Sequence, residues 1–392
     1  MISKIKIRNF KSIVDLTLDL GRINLFIGEN GSGKSNILEA IAFLSIQKVT
    51  VDGSTLLAKG ARVTKPPLYG SGFEPGLKPI LFDYTIDGNP YSSVYKYING
   101  NENNWMETTA FEKSSEFAKF LAVNDPFISY DSFDFIPYFN ATSIRINSNT
   151  PQEKVDKIVD ESAAFEKYYK HRYDGYINRF MIYSPEVSQL RKFEEEGQIT
   201  PLGSRGEGLF SLIKSMAHQN DGLQQIKESL SLIDWFEDFS IPADLLSNEF
   251  KINIRDKYIN ATLQELDQRS ANEGFLFLLF YTALFSSSKT PSFFAVDNIE
   301  ASFNPKLCAR LLNLLADLAT KNEKQVLLTT HNPATLDGLN LNDPEQRLFV
   351  VRRNLNGHTI VTRITEKPKL STPMKLSDMW TKGFIGGLPE NF

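Results

Sequence analysis

The chain has 392 residues, 41% of them hydrophobic and 23% charged, with a formal net charge of −4. At roughly 100–200 residues per domain, this length predicts two or three structural units of ordinary globular composition. The mild acidity excludes a strongly basic nucleic-acid-binding chain, though not a local basic groove. The single cysteine, Cys308, rules out an internal disulfide framework. It points to a reducing compartment, and no run of about 18 apolar residues is present to span a membrane, so the expected location is the cytoplasm.

Residues 2–10 alternate with period two, as a strand with one buried face does, and 16–20 read as its hairpin partner. The apolar run Ile23–Ile27 leads into a glycine-rich loop, after which Ile37, Leu38, Ile41 and Leu44 share one helical face. Gly, Pro, Ser and Asn become frequent beyond residue 50. There, 81–86 and 93–98 predict strands around the turn Asp87-Gly88-Asn89-Pro90, and 151–180 and 206–236 predict helices. From 266 onward the pattern alternates again: a helix over 275–285, a buried strand over 292–296 and an amphipathic helix carrying Leu307, Leu311, Leu314, Leu315 and Leu318. Strands over 325–329 and 347–351 follow. Such alternation predicts an α/β fold with a mainly parallel sheet flanked by helices, an antiparallel edge and an inserted, partly helical subdomain. The expected division is 1–60, the first part of a nucleotide-binding head; 61–265, the antiparallel edge and insertion; and 266–392, the second part of the head.

The loop carries the pattern G-x-x-x-x-G-K-[ST] at Gly28, Gly33, Lys34 and Ser35. Glycines let backbone N–H groups point inward at phosphate oxygens, and the following helix offers its positive N-terminus. Lys34 reaches the β- and γ-phosphates of ATP and Ser35 gives its hydroxyl to Mg²⁺. Asn30, Gly31, Ser32 and Asn36 complete the expected nucleotide-binding set. Phe293-Phe294-Ala295-Val296-Asp297 is an apolar strand ending in a carboxylate, the form of the second magnesium-holding element. A strand-terminal Asp that merely caps a turn looks the same in isolation. Asn298 follows where many ATPases of this type carry a general-base glutamate, and Glu300, two residues on, is the candidate substitute.

These segments resemble the ATP-binding-cassette heads of SMC and RecF proteins. They resemble more closely the bacterial AAA-type ATPases related to overcoming-lysogenization-defect heads. The resemblance is carried by Ile7-Arg8-Asn9-Phe10-Lys11-Ser12, by the run from Asn24 to Asn36, and by Thr329-Thr330-His331-Asn332-Pro333, similar to a switch-histidine segment. Ser270-Ala271-Asn272-Glu273-Gly274 looks like a variant signature motif, although Ser270 with Glu273 three residues on also fits a plain capping box. Ala301-Ser302-Phe303-Asn304-Pro305 resembles the loop that touches a second subunit. The resemblance implies an ATPase whose two copies pinch Mg-ATP between the phosphate loop of one and Ser270 of the other. Asp297, Glu300 and His331 would serve the chemistry, and hydrolysis would be slow because Asn298 replaces a Glu. It implies a homodimer acting as sensor or scaffold for a separate effector, a nuclease or toxin, in antiviral defence; a RecF-like role in DNA repair, with DNA bound, is the alternative. Gln47 is the candidate for a glutamine loop, and Pro201–Leu209 is a glycine-dense stretch read as a turn that opens a helix or, alternatively, as a loop contacting nucleotide or a second copy. His171, His218 and His358 lack such motifs and are expected to be surface or structural residues. The apolar, glycine-rich C-terminal segment is expected either to pack on the head or to serve as a docking tail.

Overall fold

The computed structural model describes residues 1–46, 51, 53–62, 65–73, 76–98, 104–107, 128–129, 145–146, 176–192, 201–217, 221–242, 250–260, 266–368 and 373–388. Strands β1 (Ile2–Phe10) and β2 (Ile13–Asp19) form the predicted hairpin, and β3 (Ile23–Ile27) runs into the glycine loop and helix α1 (Lys34–Ser45). Strands β4 (Ile80–Ile86), β5 (Asn89–Ile98) and β6 (Asn104–Glu107) extend the hairpin into a five-stranded antiparallel sheet of order β2-β1-β4-β5-β6. The turn between β4 and β5 is tighter than expected. Only Asp87 and Gly88 lie in it, both at positive φ as a two-residue hairpin turn demands, and Asn89 and Pro90 already pair with Ile86 and Thr85.

A second sheet holds the nucleotide loop. Its members are β3, β7 (Ile182–Tyr183), β11 (Phe293–Val296), β12 (Gln325–Thr329), β13 (Gln346–Arg353) and β14 (Thr359–Ile364). Their order is β14-β13-β3-β12-β11-β7, with every pairing parallel except the antiparallel edge strand β14. The elements between β7 and β11 include, after a short helix over Val187–Arg191, α2 (Leu209–Ala217), α3 (Asp221–Leu230), the small sheet of β8 (Phe236–Ser240), β9 (Asn253–Asp256) and β10 (Leu266–Asp267), and α4 (Glu273–Ser286). The predicted helix over 206–236 is thus two helices followed by a turn and a strand. Helix α5 (Pro305–Lys321) joins β11 to β12, and α6 (Leu376–Thr381) closes the chain. The expected helix over 151–180 lies outside the described residues as far as 175, as do Gln47, His171 and His218.

Side-chain alternation along the parallel sheet divides the core. Phe26, Phe293, Ala295, Leu327, Phe349 and Val351 face α1 and the antiparallel sheet. Leu25, Ile27, Phe294, Val296, Val326, Leu328 and Val350 face α4, α5 and the inserted elements. Helix α1 lies between the two sheets and is buried over most of its circumference rather than on one face, which is why Ala40, Ala42 and Phe43 are as buried as Ile37 and Ile41. Helix α4 is buried at every position from Phe275 to Ser286, consistent with its unbroken apolar sequence.

Candidate functional site

The phosphate loop is built where the central strand β3, buried at all five positions, meets α1. Gly28, Gly31 and Gly33 adopt φ of 148°, 78° and 112°. A Cβ on Gly28 would stand 2.1 Å from the Val351 carbonyl oxygen, and one on Gly33 would stand 2.1 Å from Thr359 Oγ1, so two neighbouring strands leave room for glycine alone. The loop is braced from outside. Arg353 Nε donates to Gly31 O at 2.8 Å and Thr359 Oγ1 to Ser32 O at 3.1 Å. Asn36 Nδ2 donates to Ser12 Oγ at 2.6 Å, and Ser12 shares a 2.7 Å hydrogen bond with Thr359. Lys34 Nζ donates to the carbonyls of Gly28 (2.8 Å) and Glu29 (2.9 Å). Burial pushes the Lys34 ammonium below its ordinary range, opposed by the charges of Asp297, Glu300 and Glu29. Ser32 Oγ is buried with no hydrogen-bond partner among the described residues. This orphaned hydroxyl, the glycine cradle and the N-terminus of α1 together suit an anionic phosphate.

Asp297 stands at the exit of β11. Its Oδ2 accepts from Ser35 Oγ at 3.4 Å and its Oδ1 from Thr329 Oγ1. The Thr329 hydroxyl in turn accepts from Asn298 N at 2.9 Å, so β12 fixes both the carboxylate and the turn after it. Asn298 takes φ of 56°, a left-handed conformation that asparagine tolerates, and this helps turn the chain so that Glu300 meets the loop after β12. Glu300 Oε1 accepts from His331 N at 2.7 Å, while its Oε2 is buried without a partner among the described residues. Burial and the Lys34 charge hold His331 below the ordinary imidazole value, against the opposing pull of Glu300 and Asp297. A hydroxyl beside a carboxylate, at Ser35 and Asp297, is a hard oxygen donor set of the kind Mg²⁺ takes.

The structure therefore brings Gly28–Ser35, Asp297, Glu300 and His331 together. Ser270 lies apart from that set. It is exposed, and its Oγ and backbone N both donate to Asp267 Oδ1 at 3.0 Å. The capping-box reading of Ser270 and Glu273 is corrected: Asn272 caps α4, its Oδ1 accepting from Phe275 N at 2.8 Å. Glu273 instead accepts from Ser302 Oγ at 2.9 Å, tying the 301–305 loop to the start of α4. Ser302 is itself left-handed at φ 64°, and Asn304 caps α5 through Leu307 N at 2.9 Å. The 201–208 stretch does form the turn that opens α2. It also pairs with the exit of β7, with Ser184 N donating to Ser204 O and Glu186 N to Arg205 O. His358 packs its ring edge-on against Phe73.

Sequence reasoning missed the braces Thr329, Arg353 and Thr359, and it placed the C-terminal segment nowhere definite. In the structure this segment packs on the head. Ser377 donates from N (3.0 Å) and Oγ (2.8 Å) to the carboxylate of Asp337, in the short helical turn Pro333–Gly338 that follows His331. A cavity of about 340 Å³ is lined by Gly28, Glu29, Asn30, His331, Trp380, Gly387 and Leu388. The glycine-rich run near the chain's end, Gly383 and Gly386-Gly387, was the available signal for a close backbone approach.

A family model described as "AAA domain, putative AbiEii toxin, Type IV TA system" matches residues 23–337, most of the chain. The chain belongs to this AAA-domain family. The AAA-domain chain has the P-loop ATPase fold, and it is similar to the SMC head in a crystal structure of that head bound to the C-winged helix domain of ScpA. That likeness covers 93% of this chain and 98% of the other at a TM-score of 0.53 and 17% identity, and at this identity it speaks to fold. The DNA replication and repair protein RecF of Lactococcus lactis subsp. cremoris (strain MG1363) is 44% identical over 48 residues, 12% of this chain and 13% of RecF. The DNA double-strand break repair Rad50 ATPase of Thermoplasma volcanium is 42% identical over 72 residues, 18% of this chain and 8% of that protein. The AAA-domain chain thus spans only a small part of either curated relative. No helix among the described residues is long and apolar enough to cross a membrane.

Proposed function

We propose that the chain binds Mg-ATP, hydrolyses it slowly and couples the nucleotide state to head-to-head dimerisation. The observation that carries this reading is the convergence of Lys34 and Ser35 on one element with Asp297, Glu300 and His331 on two others. Ser35 and Asp297 would hold Mg²⁺, which when bound supplies charge neutralisation at the β- and γ-phosphates. Lys34 and the backbone N–H groups of 28–33 bind the phosphates, and the unpaired Ser32 hydroxyl adds a donor. Glu300, anchored through Oε1 and with no partner for Oε2 among the described residues, would accept the proton of an attacking water; the amide of Asn298 cannot do so. His331, which lines one cavity with Gly28, Glu29 and Asn30, would donate a hydrogen bond toward the terminal phosphate.

Exposure of Ser270, and the tie between Glu273 and the 301–305 loop, support a signature face turned outward to a second copy. Loss of the γ-phosphate leaves the donors of both copies unpaired and loosens the pair. Such a cassette works as sensor or scaffold for a separate effector protein. The toxin–antitoxin wording of the family description favours a defence role. The short RecF and Rad50 identities favour a second reading, a DNA-repair ATPase that contacts DNA. Stimulation of turnover by duplex DNA ends supports the second reading, and co-purification with a nuclease or toxin supports the first.

The test is equilibrium binding of a fluorescent ATP analogue together with steady-state turnover. Lys34→Ala weakens binding by roughly 100-fold or more, because a charge-assisted contact to phosphate is lost. Glu300→Gln keeps binding and lowers turnover by about 100-fold. Unchanged binding in the first variant, or full turnover in the second, would overturn the respective assignment.

A further inference from the structure

The C-terminal segment supplies a polar group that the phosphate loop, the acidic strand and the switch segment do not account for. Trp380 is 4% exposed, yet its indole Nε1–H has no hydrogen-bond partner among the described residues. A buried donor of this kind calls for an acceptor. Trp380 lines the same cavity as Gly28, Glu29, Asn30 and His331. Gly387 lets the C-terminal run pack closely between the indole and the phosphate loop: a Cβ there would stand 3.6 Å from Trp380 Nε1, 3.4 Å from Gly28 Cα and 2.8 Å from Val350 Cγ1. The position along the nucleotide follows from Lys34. Its ammonium sits against the carbonyls of Gly28 and Glu29, so this end of the loop is the one that meets the terminal phosphate. Helix α6 is also tied to the switch segment, because Ser377 is held by the carboxylate of Asp337.

We propose that Trp380 is a substrate-contacting residue whose indole N–H donates a hydrogen bond to the terminal phosphate of a bound nucleoside triphosphate. The C-terminal segment thereby distinguishes triphosphate from diphosphate. This rests on the reading of the loop as a nucleotide site. Through Asp337 and Ser377 the contact reaches the turn that follows His331, so the switch segment and α6 respond to the same phosphate.

The test uses the full chain labelled with ¹⁵N-tryptophan. Its three indole resonances, from Trp105, Trp235 and Trp380, are assigned by single Trp→Phe variants and titrated with Mg-AMPPNP, Mg-ADP and inorganic phosphate. The Trp380 resonance moves downfield with Mg-AMPPNP and stays in place with Mg-ADP or phosphate alone. Trp380→Phe, which keeps the ring and removes the donor, weakens Mg-AMPPNP binding about tenfold or more while Mg-ADP binding is unchanged. If the wild-type chain binds Mg-AMPPNP but the resonance does not move, or moves equally with ADP or with phosphate, the assignment of Trp380 is wrong. Unaltered Mg-AMPPNP affinity in the folded variant has the same meaning. If the Trp380→Phe chain does not fold, the wild-type titration decides alone, with the Trp380 resonance assigned by elimination. If the wild-type chain binds no nucleotide, the nucleotide reading itself fails.

Discussion

Gly33 shows how much of the site rests on one absent side chain. Its φ of 112° is reached by few residues other than glycine, and the Thr359 hydroxyl occupies the space a Cβ would need. That hydroxyl is not free to move: it donates to Ser32 O and is bonded to Ser12. Gly33→Ala is therefore expected to cost about 1–3 kcal/mol of stability and to abolish ATP binding. Paired urea melts and nucleotide titrations check both effects; a variant as stable as wild type that still binds ATP would refute the steric account. A similar economy holds at Asp297, where Thr329 and Ser35 each take one carboxylate oxygen.

At the level of elements, a buried amide helps tie the two sheets together, alongside the Ser12–Thr359 link. Gln325, the first residue of β12, donates through Nε2 to Ile2 O and Gly21 O, both at 2.7 Å, and accepts from Ile2 N at 3.0 Å. Gln325→Leu keeps the volume but strips partners from buried backbone groups, and about 2–3 kcal/mol of stability is expected to be lost. Chemical denaturation measures it, and a loss under about 0.5 kcal/mol, the size of an ordinary surface change, would contradict the role given to this residue. Gln325 also shows what sequence reading can reach. The strand over 325–329 was legible to the residue because four consecutive apolar or β-forming positions after Gln325 mark a buried parallel strand. The Gln within it looked like an ordinary strand-end polar residue, since its partners lie more than three hundred positions away in the sequence. The phosphate loop was legible because its chemistry is local and its spacing fixed. The cap at Asn272 was missed: the sequence reading named Ser270, also a good cap, and the extended backbone at 272 before the helix decides otherwise. The place of Trp380 was not legible: the glycines that follow it signal a close backbone approach but not which surface its helix meets.

For the whole molecule, the arrangement makes a claim about assembly. The proposed nucleotide-binding set sits on one copy, while Ser270 is exposed and, among the described residues, hydrogen-bonds to Asp267. On the proposed reading, the corresponding face of a twin would complete the site from outside the chain. A bulky cation at that point blocks the approach without touching the loop. Ser270→Arg is expected to bind ATP as wild type does and to remain monomeric when it is bound. The most direct measurement is the mass in solution by light scattering, with and without Mg-ATP, on wild type, Lys34→Ala and Ser270→Arg. The account predicts that wild type alone passes from the mass of one chain to that of two, and only when Mg-ATP is present. Equal mass with and without nucleotide in wild type, or nucleotide-driven doubling in the Ser270→Arg chain, would contradict it.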